Sequence, residues 1–184
     1  MTHAVVWRRI DKPGHEYCRL QELETGARLT GVAILSNDAT PHCVEYEIHC
    51  DPQWRTLRCR LAENSTSVRT DWEIRREDNL WMMNGVEVPA VAGCEDIDLG
   101  FSPATNLLPI RRLGLKTGES AAVNAAWVRF PEFTLELLAQ TYTRVSDDTY
   151  RYESAGGKFR RDLKVDENGF VLDYPDIWTA ESRT

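Results

Sequence analysis

On both sides of a single turn, residues 42–61 alternate apolar and polar side chains with a period of two, and that pattern restricts the segment to paired β-strands. Val44, Tyr46, Ile48 and Cys50 fall on one face, with Glu45, Glu47 and His49 on the other. Leu57, Cys59 and Leu61 repeat the arrangement against Thr56, Arg58 and Arg60. Asp51-Pro52-Gln53-Trp54, between the two runs, carries turn chemistry, with Pro at the second position. Tight closure pairs Ile48 with Leu57, Tyr46 with Cys59 and Val44 with Leu61. The same register sets Glu47 against Arg58 and Glu45 against Arg60, with room for a one-residue bulge at the turn. Leu57 is then a core residue.

The alternation recurs along the chain. Thr66 to Ile74 repeats it through Val68, Thr70 and Trp72. Asn84-Gly85 stands between Leu80–Met83 and Val86–Val88, a two-residue hairpin signal that pairs Met83 with Val86 and Trp81 with Val88. Further strands are expected over 4–10, 16–22, 27–35, 122–130, 134–145, 150–153, 158–165 and 170–174, with turns at Gly156-Gly157 and Asn168-Gly169. One helix start is visible. Ser102-Pro103 offers a capping hydroxyl and a proline at the first helical position, ahead of Leu107, Leu108 and Ile110, and Pro109 is expected to kink or limit the helix. No repeat or linker divides the 184 residues, so residues 1–184 are expected to form a single, mainly β domain.

A net charge of −7 repels phosphate backbones, which argues against a nucleic-acid partner. No apolar run approaches the ~20 residues of a membrane helix, so no integral insertion is expected. The first residues lack the basic and apolar regions of a signal peptide, and cytoplasmic residence is the expectation. Five cysteines without a CxxC pair fit reduced, unpaired thiols packed as small hydrophobes.

The candidates for chemistry are few. His42-Cys43 and His49-Cys50 resemble metal ligands, but on a strand Cys43 and His49 lie roughly 20 Å apart, whereas zinc needs ligands within about 2.3 Å. No Gly-x-Ser-x-Gly elbow and no Gly-rich phosphate loop occurs, so no catalytic residue, metal or cofactor is assigned. Asp96 and Asp98, two apart on a strand, share a face with Cα atoms roughly 6.6 Å apart, a spacing compatible with paired catalytic carboxylates. The other reading is structural, with the acids pairing to the arginines that follow. Arg111-Arg112 either complements the helix C-terminus or grips an anionic group. Trp54 and Trp72 fit core faces, while Trp7, Trp81, Trp127 and Trp178 suit a core or an apolar pocket equally.

Gly93-Cys94-Glu95-Asp96-Ile97-Asp98-Leu99, followed by Ser102-Pro103-Ala104-Thr105-Asn106-Leu107-Leu108-Pro109-Ile110-Arg111-Arg112-Leu113, resembles the central signature of the bacterial family called "putative glycolipid-binding" proteins. Tyr46, Ile48, Cys50-Asp51 and Trp54, Trp81 with Asn84-Gly85, Tyr142, Tyr152, and the stretch from Val165-Asp166 to Tyr174-Pro175 extend the likeness over nearly the whole chain. Ser102 stands where that family has threonine, and either hydroxyl caps a helix. The resemblance implies a spiral β-roll of many antiparallel strands around a single short helix, paired as a homodimer. It also implies an apolar cavity for a glycolipid or other amphiphile.

Joined to the residue reading, it places ligand contacts at Asp96, Asp98, Asn106, Arg111, Arg112, Trp81 and Tyr142. A non-enzymatic binding protein is the first expectation. The alternatives are an enzyme acting on a sugar or acyl derivative through Asp96 and Asp98, and a purely structural homodimer.

Overall fold

The structure, a computed structural model, describes residues 1–64 and 68–184. Thr66, the expected start of a strand, lies outside the described residues. The strands β1 (Thr2–Arg9), β2 (Gly14–Leu23), β3 (Gly26–Asn37), β4 (Thr40–Cys50), β5 (Thr56–Asn64), β6 (Arg69–Glu77), β7 (Leu80–Met83) and β8 (Val86–Glu87) form an antiparallel meander. A second meander joins β10 (Ser120–Arg129), β11 (Thr134–Arg144), β12 (Thr149–Ser154), β13 (Phe159–Val165), β14 (Val171–Tyr174) and β15 (Trp178–Arg183). The two meet where β1 pairs with β15. A short strand, β9 (Asp96–Leu99), lies parallel to β10 and completes a sheet of 15 strands among the described residues.

The sheet does not close, yet the free edge of β9 is not left bare. Ile97 N–H donates to Thr56 Oγ1 at 3.1 Å, and Thr56 N–H donates to the Glu95 carbonyl at 2.9 Å. These bonds draw the end of the spiral onto β5 and satisfy backbone groups that an open edge would expose.

The one α-helix among the described residues, α1 (Leu107–Leu113), is the axis of the roll. Leu107 and Leu108 join a large core cluster with Leu20, Leu29, Ile48 and Trp81. Ile110 belongs to a second cluster with Val123, Tyr142, Leu163 and Val171. The expected helix start is modified: Ser102 Oγ accepts from Ala104 N–H at 3.0 Å, and a 3₁₀ turn over Ala104–Asn106 precedes α1. Pro109 therefore falls within the first α-helical turn, where backbone N–H groups have no intrahelical partner, and α1 runs through it to Leu113. Gly114, at φ 53°, closes the helix by donating its N–H to the Ile110 carbonyl.

The Asn84-Gly85 hairpin forms as expected, with Met83 opposite Val86. The β4–β5 hairpin keeps its faces but not its register. Ile48 faces Cys59, Tyr46 faces Leu61, Val44 faces Glu63, Glu47 faces Arg60 and Glu45 faces Ala62. The turn is wider than four residues. Asp51 Oδ1 accepts the N–H groups of Gln53 and Arg55, Asp51 N–H donates to the Arg55 carbonyl, and Trp54 takes φ 66°. A bulge follows, between the His49–Arg58 and Cys50–Thr56 pairs. Leu57 is the extra residue, and it is turned out to 42% exposure. Leu57→Ala should consequently change stability by less than ~1 kcal/mol, whereas Leu61→Ala, in the core, should cost ~2–5 kcal/mol. Urea midpoints of the two variants check the corrected register.

β15 was not expected from the sequence, although it carries the junction of the two meanders. All five cysteines are free thiols.

Candidate functional site

Residues 98–102 leave β9 and turn into the entry of α1 beneath the second meander. Asp98 lies beside Trp127 across the parallel β9–β10 ladder. Gly100 makes room for that indole, because a Cβ there would collide with Trp127 Nε1. Above them, Tyr152, Phe159, Tyr174 and Trp178 come from β12 to β15, and Arg9 comes from the end of β1. Together they enclose a cavity of about 480 Å³, within the ~300–1,000 Å³ range of small-molecule sites.

Polar groups are held in fixed positions around it. Gln140, inward-facing on β11, donates from Nε2 to Asp98 Oδ2 at 2.5 Å and to the Tyr152 hydroxyl at 3.0 Å. The Asn106 amide donates to the Pro103 carbonyl at 3.1 Å and accepts from the Tyr142 hydroxyl at 2.9 Å. Tyr142 thus stands behind the cavity and orients Asn106, which lines it. Arg9 sits at the rim, with its Nε 2.7 Å from Asp11 Oδ1 and its guanidinium 5.4 Å from the Trp178 ring centre. Asp98 has accessible surface because it lines the cavity, yet protein surrounds it closely. Burial pushes its carboxyl up to about 6, opposed by the Gln140 hydrogen bond and reinforced by the charge of Asp96. The Gln140 amide donates to Oδ2, so this carboxyl oxygen serves as an acceptor.

The two acids of the signature part company. Asp96 turns to the last turn of α1 and takes a bidentate contact from Arg112, with Arg112 Nε 3.0 Å from Oδ1 and Nη2 2.6 Å from Oδ2. Burial raises the Asp96 carboxyl above its ordinary value against the pull of Arg112. For Arg112, burial pulls the guanidinium down, but the hydrogen bonds and charge of Asp96 more than reverse it. Two parallel N–H···O contacts are the geometry of an ion pair. Arg111 goes elsewhere. It bonds Glu22 Oε2 at 2.9 Å and the Asn168 carbonyl at 3.2 Å, and it stacks 4.4 Å from the Trp54 ring centre.

Of the seven residues singled out in the sequence, Asp98 and Asn106 line the cavity and Tyr142 supports it. Asp96 and Arg112 form the buried pair beside it, and Arg111 is set on another side of the helix. Trp81 is fully buried in the core, with Nε1 donating to the Cys94 carbonyl at 3.0 Å. Trp127 and Trp178 prove to be the pocket-lining tryptophans, while Trp7 joins Trp81 in the core. Gln140 had gone unnoticed. Its signal was a polar residue at an inward position between Leu138 and Tyr142.

A second buried polar group adjoins the cavity wall. Glu16, 1% exposed, accepts from the Tyr46 and Ser102 hydroxyls on Oε1, both at 2.6 Å. Tyr46 reaches it by lying across Gly31, the opposing residue on β3, where any Cβ would collide with the ring. Oε2 has no hydrogen-bond partner among the described residues. Burial pushes the carboxyl up to about 8, against the two hydroxyl donors.

The sequence profile of the "Putative glycolipid-binding" family matches residues 4–180. The crystal structure of a DUF1089 family protein from Pseudomonas aeruginosa is similar at 30% identity, with a TM-score of 0.80 over 89% of this chain and 91% of that one. A β-barrel-like protein of the domain of unknown function DUF1849, from Brucella abortus, shares the fold at 12% identity, with a TM-score of 0.55 over 99% of this chain and 96% of that one. No curated protein sequence matches the chain.

Proposed function

We propose, from the premise that this chain belongs to the "Putative glycolipid-binding" family, that it is a binding protein for a glycolipid or similar amphiphile. The ligand seat is the 480 Å³ cavity between β9, α1 and the second meander. The observation that carries this reading is the lining itself: an aromatic wall of Trp127, Tyr152, Phe159, Tyr174 and Trp178 faces an oriented polar set at Asp98 and Asn106. Rings offer apolar area while the polar groups fix orientation, which is the division of labour of a small-molecule site.

The paired-carboxylate enzyme is the weaker reading. Asp96 is committed to Arg112, and among the described residues Asp98 is the single acid lining the cavity. Two-carboxylate hydrolysis needs both acids at the ligand. Homodimer formation belongs to the proposal on the strength of the resemblance, and cytoplasmic residence on the reduced thiols. No helix among the described residues is long and apolar enough to cross a membrane.

Leu138→Trp tests the seat, because it fills the cavity from its half-exposed side. Calorimetric titration with n-octyl glucoside below its micelle concentration should show binding to the natural protein and at least a tenfold loss in the variant, with an unchanged melting temperature. Equal binding by both would place the ligand elsewhere.

A further inference from the structure

We infer that the cavity takes its ligand head-first: a single pyranose-sized, polyhydroxylated ring enters it, and the apolar remainder of the ligand points out through the mouth. This rests on the amphiphile-binding reading and specifies which part of the amphiphile is recognised.

The lining is mixed: Leu99 and Trp178 are buried beside Ser102, Asn106, Tyr152 and Ser154, while Arg9, Asp98, Leu138 and Ile177 are half-exposed. An apolar chain laid over Asp98 would cover its carboxylate without supplying a donor, and such desolvation is penalised. A hydroxylated ring supplies that donor.

Volume sets only an upper limit: about 480 Å³ admits one hydroxylated ring or a single apolar chain and not a pair of long acyl chains. The chemistry of the lining decides between them.

The residues supply the chemistry such a ring requires. Asp98 is fixed through Oδ2 by Gln140, and its Oδ1 has no hydrogen-bond partner among the described residues, so it remains available to accept from ligand hydroxyls. Asn106 is locked at both ends by Pro103 and Tyr142, so its remaining N–H and lone pair point in a set direction. Trp127, next to Asp98 on the adjoining strand, offers a ring on which the C–H face of a sugar can rest while its hydroxyls reach the carboxylate. Gln140 does not line the cavity but holds two residues that do, Asp98 and Tyr152, and it is a positioning residue.

The test is a titration panel on the full chain: methyl pyranosides of glucose, galactose and mannose, their n-octyl counterparts, and octyl tetraethylene glycol ether, which has the same tail and no sugar. Head-first recognition predicts that at least one methyl pyranoside binds and that its octyl counterpart gains less than tenfold. The glycol ether should not compete. Asp98→Asn should weaken both glycosides about 10–100-fold. The inference is overturned if the octyl compounds and the glycol ether bind alike, no methyl pyranoside binds and Asp98→Asn changes nothing. That result would leave the amphiphile-binding reading in place with the chain inward. If nothing in the panel binds, both readings fall. The ligand comparison is made on the natural protein, so it stands even if Asp98→Asn folds poorly.

Discussion

Asp96→Ala is expected to destabilise the protein by about 3–5 kcal/mol, the cost of leaving a mostly buried charge without its partner. The Arg112 side chain is 16% exposed and the Asp96 side chain 1% exposed, so neither ion recovers full hydration when the other is removed. Glu95, 2.9 Å from Arg112 Nη1, keeps a second contact and holds the loss toward the lower end of that range. The pair ties β9 to the last turn of α1, and therefore fixes the strand that also carries Asp98. Asp96→Leu combined with Arg112→Met should recover much of the lost stability, because an apolar replacement of both partners removes the desolvation penalty. Urea unfolding of the three variants checks this. An unchanged midpoint in Asp96→Ala would exclude the structural role of the pair.

Glu16 should make stability depend on pH in the direction opposite to that of an ordinary carboxylate. Its folded value is about 8 against 4.5 for the free side chain. Between those values the folded chain keeps a proton that the unfolded chain has released, so stability falls as pH rises from about 4.5 to about 8 and is level beyond. At ~1.4 kcal/mol per pH unit, that window amounts to roughly 5 kcal/mol. Glu16→Gln keeps an acceptor for Tyr46 and Ser102 and cannot ionise. Its unfolding midpoint should exceed that of the natural protein at pH 8.5, fall slightly below it at pH 4.5, and lose most of the slope between. Parallel pH profiles for the two proteins would show that Glu16 does not hold its proton in the fold.

Much of the architecture was legible because strand parity survives local error. The β4–β5 register moved by two residues, so every inward residue except Leu57 stayed inward, and the roll could be read despite the misplaced pairs. Leu57 was misplaced because the bulge depends on how Asp51 gathers the N–H groups of residues 53 and 55, a detail of turn geometry and not of periodicity. β15 escaped notice because Thr179-Ala180-Glu181-Ser182 has weak strand propensity. It is held by pairing with β1 and by burial of Trp178, both contacts between the two ends of the chain.

The site was legible only in part. Asp96 and Asp98 stood out by spacing, and the separation of their roles follows from a contact between β9 and the distant end of α1 that spacing cannot encode. Gln140, Phe159 and Tyr174 become a site only through the curl of the second meander over the helix entry. Glu16, an acid at an inward strand position between Gly14 and Cys18, was a visible break in the alternation that signals a buried polar group.

Native mass spectrometry of the freshly purified protein, and of the same protein equilibrated with a bacterial lipid extract, shows whether the cavity takes up an amphiphile. A one-to-one noncovalent adduct of glycolipid mass is expected, released on denaturation and absent from Leu138→Trp. The bare chain mass in both samples, or an adduct that Leu138→Trp retains in full, would rule this seat out.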